Sequence, residues 1–342
     1  MTRLLAPLLL ALCGAAPVHA QSSPPSTLHI GAMQSRGYVV GGRIQAGGLQ
    51  RFSGDSTWTH LGWNTPRIVG IAVDPVRPDT MYLASGNGVL RTYDAGASWR
   101  ITTDWRVTEV QDVAVDPHDT AHVYLASAYG VWRSDDHADS WTQANVGLPP
   151  PGNTYTETVE VDRSRAGRII VGTQDGLYVS TDGARSWRRT GGAGLEILDL
   201  NQSVSDPTRW IAATQGHGIL RSSDGGETWR PGPRDLAQKT VHAVAIDPRD
   251  ATRMVAVGWD TGVLLTENGG RSWRRRGDRL PTQRFYEAIF DANIPGRLWV
   301  ATLEEGVFTT DDAGRTWQPH GFGGSMVFDM FFVPPHSSRS AH

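Results

Sequence analysis

The sequence predicts an all-β fold, a seven-bladed β-propeller with four antiparallel strands in each blade. A tryptophan recurs seven times at intervals of 41 to 46 residues, and in the last six copies it closes the same short phrase. Four strand-like runs accompany each phrase. Units of this length with four strands are typical of propeller blades. The seven tryptophans are Trp58, Trp99, Trp141, Trp187, Trp229, Trp273 and Trp317.

The repeated phrase reads Ser/Thr-x-Asp-x-Gly-x-Ser/Thr-Trp and predicts a hairpin turn between the third and fourth strands. Its acid can accept backbone N–H groups a few residues on, and its glycine can take a positive φ. The tryptophan is expected to pack against the neighbouring unit. Ala138 and Ala184 replace the glycine in two copies, where we expect strained or altered turns. The acid position, expected to be structural, is held by Asp94, Asp136, Asp182, Asp224, Asn268 and Asp312.

The four strands are easiest to read in the second unit. They are predicted at residues 68–73, 81–85, 89–92 and 98–102, and Asp74-Pro75 ends the first because proline is excluded from strand interiors. The first unit begins with residues 38–43 (YVVGGR) as its expected second strand. Residues 326–333 (MVFDMFFV) are expected to close the ring as its inner strand, although residues 28–33 compete for that place.

The composition fits a protein with a sizeable core and no nucleic-acid partner. Hydrophobic residues make up 39% and charged residues 20%, and the formal net charge is −3. Binding to phosphates requires a clustered positive excess, which is missing here. The 39 glycines and 20 prolines favour many turns over helices.

Residues 1–20 read as a secretory signal peptide, with Arg3, an apolar run and a small-residue cleavage site ending at Ala20. The mature chain is therefore expected in the periplasm or outside the cell, without a transmembrane segment. Cys13, the single cysteine, lies in this signal. Lipoprotein processing at Cys13 is disfavoured because Leu12 stands where a small residue is needed. We expect a flexible leader at 21–27, one propeller at 28–335 and a disordered tail at 336–342.

On these phrases the chain resembles the Asp-box, or BNR-repeat, propellers over essentially its whole mature length. That group includes sialidases, xyloglucan-cleaving endoglucanases, sortilin-type receptors and photosystem II assembly factors. The chain lacks the Arg-Ile-Pro segment of sialidases, because Arg67 stands in TPRIVG. It has one propeller where the xyloglucanases have two, so it looks most like the single-propeller assembly factors. The resemblance implies that the boxes lie opposite the functional face.

Ligand-contacting residues are expected on loops that join the second to the third strand or one blade to the next. Carboxylates there could act as acid and base in glycoside hydrolysis. The catalytic candidates are Asp175, Asp260, Glu304, Glu305, Glu109 and Glu157. The candidates for binding a ligand or partner are Arg67, Trp63, Trp105, Tyr155, His217, Arg284 and Tyr286, and Glu196, His242 and Glu287 lie on the same interblade segments.

No motif for a metal, cofactor, phosphate or nucleophilic serine was found. The sequence therefore favours an exported, non-enzymatic and monomeric propeller that binds a protein or a glycan. The alternative is a secreted glycoside hydrolase that uses paired carboxylates on the same face.

Overall fold

The computed structural model describes residues 25–36, 47–54, 56–62, 67–150 and 154–335. These ranges contain 28 strands in seven four-stranded antiparallel sheets, together with a 3-10 helix at Arg234–Leu236. The predicted fold class is therefore confirmed. Within the same ranges, no helix is long and apolar enough to cross a bilayer.

Each blade runs from an inner strand beside the central axis to an outer strand at the perimeter. The inner strands are β4 (Ile68–Val73), β8 (Val110–Val115), β12 (Thr156–Val161), β16 (Ile197–Gln202), β20 (Ala243–Asp247), β24 (Phe285–Phe290) and β28 (Ser325–Val333). The second strands are β1 (Thr27–Gln34), β5 (Met81–Ser85), β9 (Val123–Ser127), β13 (Ile169–Thr173), β17 (Trp210–Thr214), β21 (Asp250–Gly258) and β25 (Leu298–Thr302).

The third strands are mostly buried, whereas the outermost strands are mostly short and exposed. The third strands are β2 (Gly48–Gly54), β6 (Gly88–Thr92), β10 (Gly130–Ser134), β14 (Gly176–Ser180), β18 (Gly218–Ser222), β22 (Gly262–Thr266) and β26 (Val307–Thr310). The outermost strands are β3 (Thr57–Leu61), β7 (Arg100–Ile101), β11 (Thr142–Gln143), β15 (Arg188–Gly191), β19 (Arg230–Pro231), β23 (Arg274–Arg276) and β27 (Gln318–Pro319).

The C-terminal strand closes the ring, as the sequence predicted. Strand β28 is the inner strand of the first blade and pairs with β1 over eight residue pairs. The expectation for the second strand of this blade was wrong: β1 takes that place, and residues 38–43 lie outside the described residues. Leu28, Ile30 and Ala32 of β1 are buried in the contact with the seventh blade, which fixes this arrangement.

Seven apolar clusters hold the ring together, one at each contact between neighbouring blades. Each cluster includes the repeat tryptophan of the following blade. Trp187, for example, packs with residues of the third and fourth blades, and its Nε1 donates to the carbonyl of Ala144 across that contact at 2.7 Å. The tryptophan therefore acts as a wedge between blades.

The hairpins that carry the repeated phrase, here called box hairpins, are closed by hydrogen bonds to the acid. Asp224 accepts bonds from the backbone N–H of Glu227 (3.1 Å) and Thr228 (3.0 Å) and from the hydroxyls of Thr228 (2.5 Å) and Ser222 (2.7 Å). The Ser222 hydroxyl also accepts the N–H of Gly226 at 2.9 Å. Although burial opposes the shift, these bonds lower the pKa of Asp224 to about 2.

The two box hairpins with alanine keep the same geometry. Ala138 and Ala184 have φ values of 69° and 64°, in the region that favours glycine. Both are fully buried, and each N–H donates to the hydroxyl at the start of its phrase, at 2.8 and 2.9 Å. The hairpins are therefore strained at these positions but not rearranged.

We expect Asp224→Ala to lower the free energy of unfolding by about 2 kcal/mol, because several donors lose a shared acceptor. Asp224→Asn should cost less than half as much. Asn268 already holds the same place in the sixth blade, where it accepts the N–H of Ser272 at 3.0 Å and donates to its hydroxyl at 2.8 Å. Urea denaturation of both variants checks this, and equal losses would contradict it.

Candidate ligand site at the channel mouth

The propeller has two different faces. The loops between second and third strands bond to the interblade loops, as in Gln174 N–H to Tyr155 O (3.0 Å) and Leu303 N–H to Arg284 O (2.9 Å). These loops form the upper face. The box hairpins bond instead to the loops between first and second strands, as in Gly183 N–H to the carbonyl of Gly167 (2.9 Å), and form the lower face.

A ring of bulged residues surrounds the mouth of the central channel on the upper face. In six inner strands the pairing register shifts by one residue near the upper end. Such bulges redirect side chains and are frequent beside functional sites. The extra residues are Val69, Gln111, Glu157, Leu198, Tyr286 and Phe328. In the sixth blade, His242 immediately precedes the inner strand and completes the ring.

Four aromatic side chains form a continuous cluster on one side of this mouth, here called the aromatic cluster. The rings of His242 and Trp259 stack at 4.8 Å, and both meet the ring of Tyr286 edge-on at 5.7 Å. Tyr286 also contacts Phe328 at 5.7 Å. The guanidinium of Arg67 lies 5.6 Å from the centre of the Phe328 ring. Trp259 remains 39% exposed, so the cluster offers contact area to a ligand.

The other side of the mouth is acidic and comprises Glu109, Glu157 and Glu196, here called the acidic side. Burial and the charge of Glu196 raise the pKa of Glu157 to about 7, and Arg67 opposes this shift. The same four charged groups act on Tyr155, whose pKa is raised to about 12 mainly by burial. Glu157 is thus a proposed catalytic acid whose pKa is raised.

Three other proposed catalytic acids are held by arginines. Asp175 is paired with Arg189 and also accepts the N–H of Gly194 at 3.0 Å. Glu304 and Glu305 lie 3.0 and 2.6 Å from the guanidinium nitrogens of Arg36. These ion pairs are partly exposed and contribute little to stability, but they give each of the three carboxylates a cationic partner. Glu109 accepts a hydrogen bond from the Tyr129 hydroxyl at 3.2 Å, and Asp260 is exposed beside Trp259.

The proposed binding residues are spread over the upper face. Trp105 is 85% exposed on the loop between the second and third blades. His217 is exposed, with its Nδ1 2.9 Å from the carbonyl oxygen of Gln215. Arg284 is exposed and lowers the pKa of Glu304 together with larger contributions from Ser35 and Arg36. Only Arg67, Tyr155 and Tyr286 of this group gather at the channel mouth, and Trp63 lies outside the described residues.

Below the mouth, the channel opens into a cavity of about 580 Å³ lined by the inner strands. Four carboxylates occupy the same register position in it, one residue below the bulge. Glu287 is one of them and so lies deeper than the sequence analysis placed it. The four are Asp112, Asp199, Glu287 and Asp329, here called the channel acids.

Three channel acids form hydrogen bonds to the next blade. Each accepts a backbone N–H from the neighbouring inner strand: Asp329 from Ile71 (2.5 Å), Asp112 from Val159 (2.9 Å) and Asp199 from Val244 (2.8 Å). Burial raises the pKa of all four, with that of Asp329 at about 7. The sequence analysis did not predict that these acids join neighbouring inner strands. The signal that could have indicated it is an acidic residue inside an otherwise apolar inner strand. Among the described residues, no group of three or more His, Cys, Asp or Glu could hold a metal ion.

No protein-family model matches the sequence, and no curated protein matches it either. Solved structures do match the fold. A GH74 xyloglucanase from Xanthomonas campestris superposes with a TM-score of 0.65 and 20% identity, covering 92% of this chain and 55% of that one. A GH74 enzyme from Niastella koreensis gives 0.69 and 18%, covering 89% and 55%. The chain thus spans about half the length of these enzymes.

Structures of YCF48 are similar in fold at comparable identity. YCF48 bound to a D1 peptide superposes with a TM-score of 0.58 and 17% identity, covering 74% of this chain and 81% of that one. YCF48 from Cyanidioschyzon merolae gives 0.57 and 17%, covering 74% and 84%. At these identities the likeness shows the fold alone. The chain is a seven-bladed β-propeller similar in fold both to GH74 enzymes and to YCF48.

Proposed function

We propose that this chain is an exported, non-enzymatic propeller that recognises a segment of a partner protein at the channel mouth of the upper face. The observation that carries the proposal is the aromatic cluster with the exposed Trp259, placed beside Arg67 and the acidic side. Aromatic side chains supply large contact area at small entropic cost, and they dominate binding energy at protein interfaces. The similar structure with a bound peptide supports a protein ligand.

The contacts of the six candidate catalytic carboxylates favour binding over catalysis. Glycoside hydrolysis requires two free carboxyl groups on either side of the scissile bond. Three of the six candidates are held in ion pairs with arginines, and Glu109 bonds to a tyrosine hydroxyl. Four of the six candidate carboxylates therefore already have a partner within the protein, which favours binding over catalysis.

One observation favours a second candidate function, a secreted glycoside hydrolase. The raised pKa of Glu157 suits a general acid, and Glu196 would be its partner as base or nucleophile. The GH74 enzymes of similar fold support this alternative. The hydrolase alternative requires that the protein cleave a glycoside and that Glu157→Gln abolish this activity.

We expect the purified protein to select peptides from a random phage-displayed library and to release no sugar from xyloglucan or sialylated glycans. Trp259→Ala with Tyr286→Ala should weaken a selected peptide about 100-fold, because the aromatic contact area is lost. Val76→Ser, at an exposed side chain of the lower face, serves as the control and should bind normally. Calorimetric titration measures both variants. Sugar release that disappears in Glu157→Gln would replace this proposal with the hydrolase.

A further inference from the structure

Among the described residues, carboxylates outnumber cations around Tyr155 at the channel mouth. Three carboxylates and one cation act on the side chain of Tyr155: Glu157, Glu109 and Glu196 against Arg67. The guanidinium of Arg67 also makes a cation–π contact with the ring of Phe328. Because burial and Glu196 raise the pKa of Glu157 to about 7, its negative charge is held at a cost near neutral pH, which a bound cation would relieve.

Two exposed aromatic side chains lie on upper-face loops next to Glu109: Tyr129 contacts it, and Trp105 lies on the loop that leads through Glu109 into β8. Tyr129 is 50% exposed and donates its hydroxyl to Glu109 at 3.2 Å. Trp105, at 85%, is the most exposed of the large hydrophobic side chains in the described ranges. Aromatic faces attract ammonium and guanidinium groups, with the largest effect for tryptophan.

The turn that carries Trp105 is fixed before any partner binds. Its backbone closes by the Val107 N–H bonding to the carbonyl of Asp104 at 3.0 Å, and Asp104 pairs with Arg106 at 2.6 Å. Val107 is 2% exposed and anchors the turn in the core between the second and third blades. Because the backbone of this turn is already ordered, a partner that contacts Trp105 does not have to order the loop on binding.

Resting on the proposed function, we infer that the partner segment is basic: a lysine or arginine side chain enters the acidic side, between Glu157 and Glu196, with Trp105 and Tyr129 against the flanking chain. The ammonium or guanidinium group offsets the excess negative charge, and the aromatic rings supply contact area to the residues on either side of it. An acidic segment would add repulsion at the same place.

The test is the composition of the peptides that a phage-displayed random 12-residue library yields on wild type and on Glu157→Gln/Glu196→Gln. Wild type should enrich lysine and arginine about threefold over the unselected library, and the double variant should lose this enrichment. A synthetic selected peptide should bind the double variant about tenfold more weakly, the loss expected for a charge-assisted contact. Glu267→Gln, at an exposed acid of a lower-face hairpin, is the matched control.

Circular dichroism and Tm first confirm that each variant is folded. If the double variant is unfolded, the exposed Glu109→Gln replaces it and should lose part of the enrichment, because it removes one of the three carboxylates of the acidic side. Acidic or uncharged peptides that still depend on Trp259 would overturn this inference and leave the proposed function standing. A library that yields no binder at all would overturn both.

Discussion

A chain that ends at Gly324 is expected not to fold. It lacks β28, the inner strand of the first blade, and so exposes the edge of β1 and the facing apolar surface. Val327, Met330 and Val333 are at most 8% exposed, and burying each such side chain contributes about 1.5 to 3 kcal/mol. Their sum approaches the whole stability of an ordinary domain, roughly 5 to 15 kcal/mol.

A chain that ends at Pro335 is the matched control, because it retains every described strand. Soluble yield, circular dichroism and thermal unfolding should match those of the full chain. Val327→Asp in the full chain isolates the packing contribution, since it places a charge in the buried contact between the first and seventh blades. A cooperative unfolding transition in the chain ending at Gly324 would show that ring closure by β28 is not required.

The channel acids should lower the free energy of unfolding by several kcal/mol as the pH rises from about 4 to 8, because the folded-state pKa of each is raised. In this window the unfolded chain releases protons that the folded protein retains, and the balance shifts toward unfolding. For Asp329 the window runs from its ordinary pKa, near 4, to about 7. Below it both states hold the proton, and the difference vanishes. Burial lowers the pKa of His29 to about 4, which acts in the opposite sense, so the Asp329→Asn variant is needed to isolate the contribution of one acid.

Asp329→Asn removes the cost of this charge while keeping an oxygen for the Ile71 N–H. We expect it to raise the free energy of unfolding at pH 8 by about 2 kcal/mol, roughly half the full linkage value because water reaches the channel. At pH 4.5 it should match wild type. The exposed Asp278→Asn is the control, with 74% of its side chain accessible. Destabilisation by Asp329→Asn at both pH values would contradict the charge argument.

Much of the fold could be predicted because each blade repeats the same local chemistry. The hydroxyl, acid and tryptophan of a box hairpin interact within eight residues, so their spacing survives in the sequence. Even the phrase with Asn268 keeps its hydrogen bonds, because an amide oxygen replaces the carboxylate as acceptor.

The first blade was harder to predict, because its strands come from opposite ends of the chain. The segment with Leu28, Ile30 and Ala32 and the segment with Val327 and Met330 are both apolar, and hydrophobicity alone does not decide which is inner. Contacts with the seventh and second blades determine which segment is the inner strand. They include the hydrogen bond from the Ile71 N–H to Asp329.

The candidate site was predicted only in part. Position in the repeat pointed to Arg67, Glu157 and Tyr286, because each lies at the upper end of an inner strand. It did not reveal that Phe328 joins the aromatic cluster, since that depends on closure by β28. It also did not reveal that Asp175 is held by Arg189, because 14 residues and a turn separate them.

Hydrogen–deuterium exchange of the protein with a saturating selected peptide tests the central claim most directly, because it maps the contact without a mutation. We expect slower exchange at the upper ends of β12, β20 and β24 and in the loop around Trp259, with the box hairpins unchanged. Protection confined to the box hairpins or the outer strands would contradict a ligand site at the channel mouth.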